Sequence, residues 1–290
     1  MNMNLNDIKE SFMKGVFLVA ACTSVLAVAL ICVFLFANGL PAMQKIGVFD
    51  FLLGQTWRPS NDIYGILPMI LGSIYVTAGA IIIGVPIGLL TAIFMAHFCP
   101  KSMYKLLKSA TELLAGIPSI VYGFFGLVVL VPFIRMNFDS RGQCMLTAAI
   151  LLGIMILPTI IGVSESALRA VPKHYYEGAL ALGATHERSI FNVVLPAAKS
   201  GVLAGVVLGI GRAIGETMAV MMVAGNQARM PEGIFRGVRT MTTNIVMEMG
   251  YAADLHREAL IATAVVLFVF ILIINLSVSL LNRRVSNGGN

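Results

Sequence analysis

The chain has 290 residues, of which 58% are hydrophobic and only 12% are charged, and its mean hydropathy is +0.89. A water-soluble fold cannot bury so much apolar surface, so the composition excludes an ordinary soluble protein and predicts an integral membrane protein. The net charge of +6 is not concentrated in a basic stripe, and we therefore expect no nucleic-acid partner.

Six apolar runs are long enough to cross a hydrocarbon core of about 30 Å, which takes about 20 helical residues. In chain order they cover residues 15–40, 66–98, 113–134, 145–168, 201–225 and 259–281. None of them alternates polar and apolar residues as the strands of a β-barrel do, which leaves helices as the only spanning structure. The sequence therefore predicts an all-α integral membrane fold with six transmembrane helices that contact membrane lipid.

The distribution of basic residues predicts the orientation of these spans. Residues 1–14 would precede the membrane, 15–65 would form the first helix and an outer loop, 66–281 would hold the other five helices, and 282–290 would form a tail. Eleven of the 20 Lys and Arg residues fall on the side of both termini, eight fall on the other side, and Arg212 lies within a span. The positive-inside rule therefore places both termini in the cytoplasm.

A proline interrupts the third run. Pro118 cannot donate a backbone hydrogen bond, so it predicts a kink and frees a carbonyl that Ser119 or a neighbouring helix must satisfy.

The polar segment 169–199 separates the fourth and fifth runs, and its residues predict two short helices joined at a bend. Pro172 favours the start of the first helix, Gly183 favours its end, and Thr185 can cap the second helix, which Pro196 ends. We expect an apolar face outside the membrane with Glu177 and Arg188 as polar neighbours; the face comprises Tyr175, Ala179, Leu182, Phe191 and Val194. This face would either dock a partner protein or rest on lipid headgroups.

The fifth run contains one acid and one base, Arg212 and Glu216. Because they lie four residues apart, we expect them on one face of a helix, where they would either pair with each other or face a water-filled path. A guanidinium has forked donors that suit an oxyanion, so the functional interpretation is an anion path. The cysteines and histidines are scattered without the spacing of a metal site, and no P-loop for ATP is present.

Two sets of residues resemble known families. The first set comprises Glu177, Gly178, Ala179 and Gly183 and, further along, the sequence Val-Val-Leu-Pro, which ends in Leu195 and Pro196. Its spacing is similar to that of the EAA loop of bacterial ABC importer permeases. The segments 114–123 and 211–220 resemble the PstC-type permease family of phosphate-specific transporters. The second resemblance also covers motifs in the outer loops and runs from about residue 15 to the C-terminus.

The resemblance implies a type I ABC importer permease in a bacterial inner membrane. Its expected partners are a PstA-like permease, two PstB-like ATP-binding subunits and a PstS-like outer phosphate-binding protein. ATP and Mg would be bound by the partner ATPase subunits, and this chain would hold no cofactor and be no enzyme. The implied roles are a translocation path at Arg212 and Glu216 and an ATPase contact at the EAA loop.

Two other functions stay open at this stage. The same arginine chemistry would tolerate another oxyanion, such as molybdate or sulfate. An intramembrane enzyme that uses Glu216 as an acid or base is a more distant alternative, because the spans offer no second catalytic carboxylate, nucleophile pair or metal cluster.

Overall fold

The computed structural model describes residues 5–287, and most of them are helical. Five helical segments are long and apolar enough to span a membrane, and a sixth span results if two helices bent by 71° are counted as one. The five are Phe12–Ile46, Leu67–Phe98, Ser119–Asn137, Met145–Arg169 and Asp254–Ser277, and the bent pair is His186–Ala197 with Lys199–Gly215. The prediction of an all-α membrane protein with six spans is confirmed.

The elements follow one another in this order: α1 Leu5–Ile46, α2 Val48–Leu53, β1 Trp57–Arg58, β2 Ile63–Tyr64, α3 Leu67–Ile93, α4 Lys101–Gly116, α5 Ser119–Phe125, α6 Val131–Asn137, α7 Met145–Arg169, α8 Lys173–Ala181, α9 His186–Ser189, α10 Leu195–Ala197, α11 Lys199–Gly215, α12 Met218–Val223, α13 Met241–Met249 and α14 Asp254–Asn287. Segments of π-helix follow α3, α5 and α9, at Phe94–Phe98, Gly126–Leu130 and Ile190–Val194. The two short strands pair antiparallel.

Helix α7 forms the centre of the bundle, between α3 and α11. Glycines bring these helices together, because a Cβ atom at Gly84 of α3 would lie 2.7 Å from Ile156, and one at Gly209 of α11 would lie 2.9 Å from Ile160. Such contacts let the backbones approach closely, as expected in a membrane where the hydrophobic effect does not drive helices together. The order of the contacts makes α3 parallel and α11 antiparallel to α7.

The first and last helices pack antiparallel at the side of this bundle. Phe36 and Phe268 meet edge to face, and Lys45 pairs with Glu258 at 2.7 Å. Helix α1 begins at Leu5 and α14 continues to Asn287, so residues 5–14 and 282–287 extend helices where we predicted separate terminal segments. The rest of those predicted segments, 1–4 and 288–290, lies outside the described residues.

The third predicted span, 113–134, has wrong boundaries. Helix α4 ends at Gly116, and the spanning segment begins only at Ser119. Pro118 therefore marks a complete break between two helices and not a kink. The carbonyl of Leu114, which Pro118 leaves without its helical donor, accepts a 2.8 Å hydrogen bond from the Tyr122 hydroxyl, so Ser119 is not the residue that satisfies it.

Candidate functional site

The fifth apolar run is broken in the structure at the position of the predicted anion path. Helix α11 ends at Gly215, the backbone of Glu216 is extended (φ −70°, ψ 132°), and α12 begins at Met218. The expectation that Arg212 and Glu216 share a helical face is therefore wrong, because only Arg212 is helical. Gly215 is the last helical residue before the break, and the extended Glu216 carries the chain on to α12.

Arg212 lies near the middle of the bundle and is half-buried. Its Nη1 donates to the hydroxyl of Thr159 on α7 over 3.5 Å, at the limit of a hydrogen bond. Among the side chains that the structure describes, no carboxylate oxygen lies within 4.0 Å of this guanidinium, so the mutual ion pair with Glu216 that we considered does not form. Most of its five N–H donors are thus free for a ligand.

Glu216 connects the break to two further elements. Its Oε1 accepts a hydrogen bond from the backbone N–H of Ala219 at 3.2 Å, in the first turn of α12. Its backbone carbonyl accepts from the Thr242 hydroxyl of α13 at 3.0 Å. Glu216 therefore stabilises the broken geometry beside Arg212, and its second carboxylate oxygen has no hydrogen-bond partner that we find in the described chain.

The segment 169–199 folds largely as predicted. Pro172 precedes α8, Gly183 adopts a left-handed conformation (φ +84°) just after it, and the Thr185 hydroxyl accepts from the N–H of Arg188 at 3.3 Å to cap α9. The Tyr176 hydroxyl and Nδ1 of His186 are 2.7 Å apart, which ties the two helices together across the turn. The segment is therefore a defined structural unit at one end of the bundle, which we call the loop end.

The exposed surface of this segment differs from the predicted apolar face in one residue. Val194 is only 2% exposed and packs in a core cluster with Ile93, Leu168 and Ile190, whereas Leu182 is 91% exposed. The EAA-like residues Glu177, Gly178, Gly183 and Pro196 are exposed, and Ala179 and Leu195 are half-buried. The second helix thus faces the bundle, and α8 with the following turn forms most of the free surface.

The sequence analysis missed a charged cluster at the loop end. Glu165 of α7 is 1% exposed, and its carboxylate accepts from Tyr104 at 2.7 Å, from Lys108 at 2.9 Å and from Arg169 at 2.7 Å. Arg169 also donates to the carbonyl of Met95 at 2.8 Å. The hydrogen bond to Glu165 is the main reason that the pKa of Lys108, which lies outside the spans, is raised. This cluster joins α4, α7 and the end of α3.

We predict that Glu165→Ala lowers the free energy of unfolding of the assembled complex by about 2 kcal/mol, because it leaves Lys108 and Arg169 without the carboxylate that they share. These two cations are partly exposed, with 33% and 45% of their side-chain surface accessible, so water limits the loss. Thermal unfolding of the purified complex measures the effect. Glu112→Ala on α4 is the control, since Glu112 is exposed, and an equal shift in both variants would contradict the prediction.

A second buried carboxylate organises the opposite end of the bundle. Glu248 of α13 accepts hydrogen bonds from Trp57 at 2.8 Å and from Arg239 at 2.6 Å, and its other contact is Nε2 of His256 at 2.9 Å. Nearby, burial and a hydrogen bond to Asp62 raise the pKa of Tyr64 to about 12, so this phenol stays neutral at physiological pH. The two longer loops that connect spans at this end, around residues 41–62 and 226–257, therefore fold against each other.

Replacing Glu248 by alanine should cost about 3 kcal/mol of unfolding free energy, because the Trp57 N–H loses its acceptor and the largely buried Arg239 loses its carboxylate, keeping only the neutral acceptors Asn226 and Asn244. Chemical denaturation of the complex checks this value. Glu232→Ala serves as the matched control, since that glutamate is exposed in the same segment. A stability loss no larger than that of the control would show that the cluster does not hold the end of the bundle together.

Comparison with known proteins gives a consistent result. A family model described as "Binding-protein-dependent transport system inner membrane component" matches residues 84–287. The chain is 41% identical over 274 residues to the "Probable ABC transporter permease protein YqgH" of Bacillus subtilis (strain 168), with 90% of this chain and 89% of that protein covered. It is 36% identical over 265 residues to the "Phosphate transport system permease protein PstC" of Mesorhizobium japonicum, with 84% and 81% covered.

Two solved structures share the fold. The chain aligns with a bacterial alginate ABC transporter in complex with an alginate-bound periplasmic protein at a TM-score of 0.66 and 17% identity, with 98% of each chain covered. It aligns with the inward-facing MetNI methionine ABC transporter at a TM-score of 0.63 and 19% identity, with 79% of this chain and 99% of that chain covered. At these identities the likeness establishes the fold and says nothing about the substrate.

Proposed function

We propose that this chain, which belongs to the family of binding-protein-dependent transport system inner membrane components, imports inorganic phosphate along a path lined by Arg212 and Glu216. It is a non-catalytic permease subunit with a type I ABC importer fold. The relatives named as phosphate transport permeases support the substrate. The broken fifth span would form one wall of the translocation path.

The observation that carries the proposal is the unpaired guanidinium of Arg212. A charge within a membrane span is costly unless it is paired or reaches water, and Arg212 has only a long hydrogen bond to Thr159. A tetrahedral oxyanion that enters the path would accept two parallel N–H···O hydrogen bonds from the guanidinium. The cost of placing the arginine there is then offset in the state that binds the anion.

We further propose that the EAA-like residues contact a cytoplasmic ATPase subunit. Glu177, Gly178, Ala179 and Gly183 lie on α8 and the turn after it, which present the free surface of the loop end. Leu195 and Pro196 lie just before the 71° bend into α11, the helix that carries Arg212. A displacement of this surface by the ATPase would therefore be transmitted through α11 to Arg212.

The assembly that this mechanism requires contains four kinds of subunit. A PstA-like permease completes the path, two PstB-like subunits bind ATP and Mg, and a PstS-like protein delivers phosphate at the outer face. ATP binding would favour the outward-facing permease pair, and loss of ATP the inward-facing one. Each ligand must bind one conformation more tightly than the other, because equal affinity shifts no population.

The proposed location is a bacterial inner membrane, with both termini and the loop end in the cytoplasm. The opposite end, where the Glu248 cluster folds the two longer loops together, would then face the binding protein.

Uptake of labelled phosphate by cells without their own high-affinity system tests the substrate. The cells receive this chain with its three partner subunits, and excess phosphate, sulfate or molybdate is added as the competitor. We expect saturable uptake that only excess phosphate blocks. Competition by molybdate or sulfate at similar concentrations would show that the substrate is another oxyanion. The assignment of the chain as a permease subunit would still hold.

A further inference from the structure

Several threonine and serine hydroxyls in the spanning helices donate to the carbonyl four residues earlier. Thr91 donates to Ile87 at 2.7 Å, Ser166 to Gly162 at 2.8 Å, and Thr263 to Ala259 at 2.9 Å. This bond is the ordinary way to satisfy a hydroxyl within a membrane helix, because water is not available there.

On α7, Thr159 and Ser164 lack this bond: Ser164 is fully buried without a partner in the described chain, whereas Thr159 lies beside the charged Arg212. The hydroxyl oxygen of Thr159 accepts from Nη1 of Arg212 at 3.5 Å, and its hydrogen has no acceptor in the part of the chain whose side chains are described. The side chain is half-buried, as Thr91 is, so burial does not explain the difference. A hydroxyl can accept and donate at the same time, and Thr159 therefore has a free donor beside the guanidinium.

We propose that Thr159 is a second ligand of the transported anion and donates its hydroxyl hydrogen to an oxygen that Arg212 does not occupy. This inference rests on the proposed function and extends it, because it adds a neutral donor from α7 to the charged donors of α11. A tetrahedral oxyanion presents acceptors in several directions, so the fork of Arg212 and the hydroxyl can bind it together. The ligand class is inorganic phosphate or another tetrahedral oxyanion.

Uptake by Thr159→Val, which keeps the shape and removes the hydroxyl, tests the proposal in the full complex. We expect the maximal rate of phosphate uptake to fall about tenfold, as the loss of one hydrogen bond to a charged ligand predicts. Thr159→Ser should restore a rate near that of the wild type. Thr91→Val is the matched control and should have no effect, because the Thr91 hydroxyl is already bonded to its own helix.

The outcomes separate this inference from the proposed function. An inactive Arg212→Ala variant with a normal Thr159→Val variant would overturn the role of Thr159 alone. Normal uptake in Arg212→Ala would overturn the anion path itself. A tenfold loss that appears equally in Thr159→Ser would show that the site does not depend on the hydroxyl, and would also overturn the inference.

Cysteine labelling provides a second measurement that does not depend on the activity of the valine variant. Thr159→Cys is placed in a chain whose four native cysteines are replaced by serine, and the complex is treated with a negatively charged methanethiosulfonate reagent. We expect labelling in at least one nucleotide state and slower labelling in the presence of phosphate. Absence of labelling in every nucleotide state, or a rate that phosphate does not change, would contradict the proposal, and Thr91→Cys controls for general access.

Discussion

Replacement of Arg212 by alanine should abolish phosphate uptake and leave the complex assembled. The guanidinium is the only base in the apolar run 201–225, and the anion would lose two charge-assisted hydrogen bonds of about 1.5–3 kcal/mol each, which predicts a fall in rate of about 100-fold or more. Folding should tolerate the change, because Arg212 makes no ion pair with another described residue and its one hydrogen bond is 3.5 Å long. Labelled-phosphate uptake, with co-purification of the partner subunits, measures both effects.

Two further variants sharpen this test. Arg212→Lys keeps the charge and loses the fork, so it should retain a small fraction of the uptake that alanine abolishes. Lys14→Ala removes an exposed basic residue near the start of α1, away from both proposed docking surfaces, and should leave uptake unchanged. Normal uptake in Arg212→Ala, with assembly verified, would remove Arg212 from the anion path.

Replacement of Gly183 by proline should uncouple ATP hydrolysis from transport or release the ATPase subunits. Gly183 has φ +84° and its N–H donates to the carbonyl of Leu180 at 2.9 Å. Proline has φ near −65° and no N–H, so the turn between α8 and α9 must change its path. ATP hydrolysis and uptake, measured on the same purified complex, report the ratio of phosphate transported to ATP consumed.

Gly183→Asn is the matched control for this turn. Asparagine adopts left-handed backbone more readily than other residues with a side chain and keeps the N–H. No atom lies within 4 Å of the position that a Cβ would occupy at Gly183, so the added side chain should fit and coupling should persist. A proline variant that is assembled and fully coupled would argue against a docking role for this segment.

The sequence predicts the helices of this protein well and their interruptions poorly. Apolar run lengths identify all six spans, because the bilayer imposes a minimum length on each. The proline itself signals the interruption at Pro118 but not its extent, and the break at Glu216 depends on a tertiary partner that no local pattern contains. The Tyr122 hydroxyl replaces the missing helical donor at the first break, and the Thr242 hydroxyl of α13 holds the carbonyl at the second.

The candidate site shows the same division. Arg212 stands out in the sequence because a charge in an apolar run is costly, and the loop turns at Gly183 because glycine permits positive φ. Thr159 gives no such signal, since a hydroxyl in a helix is normally satisfied by its own backbone. Glu165 does carry a weak signal, the spacing of four residues to Arg169, but its contacts with α4 follow only from the packing of distant segments.

The most direct test of the central claim is phosphate accumulation by the purified complex in proteoliposomes. The complex contains this chain, its permease partner and the two ATPase subunits, with the loaded binding protein outside and ATP at the ATPase face. We predict that labelled phosphate accumulates inside only when ATP and the binding protein are both present, and that Arg212→Ala stops accumulation. ATP hydrolysis without phosphate accumulation in the wild-type complex, or accumulation of sulfate or molybdate in its place, would contradict the assignment of phosphate as the substrate.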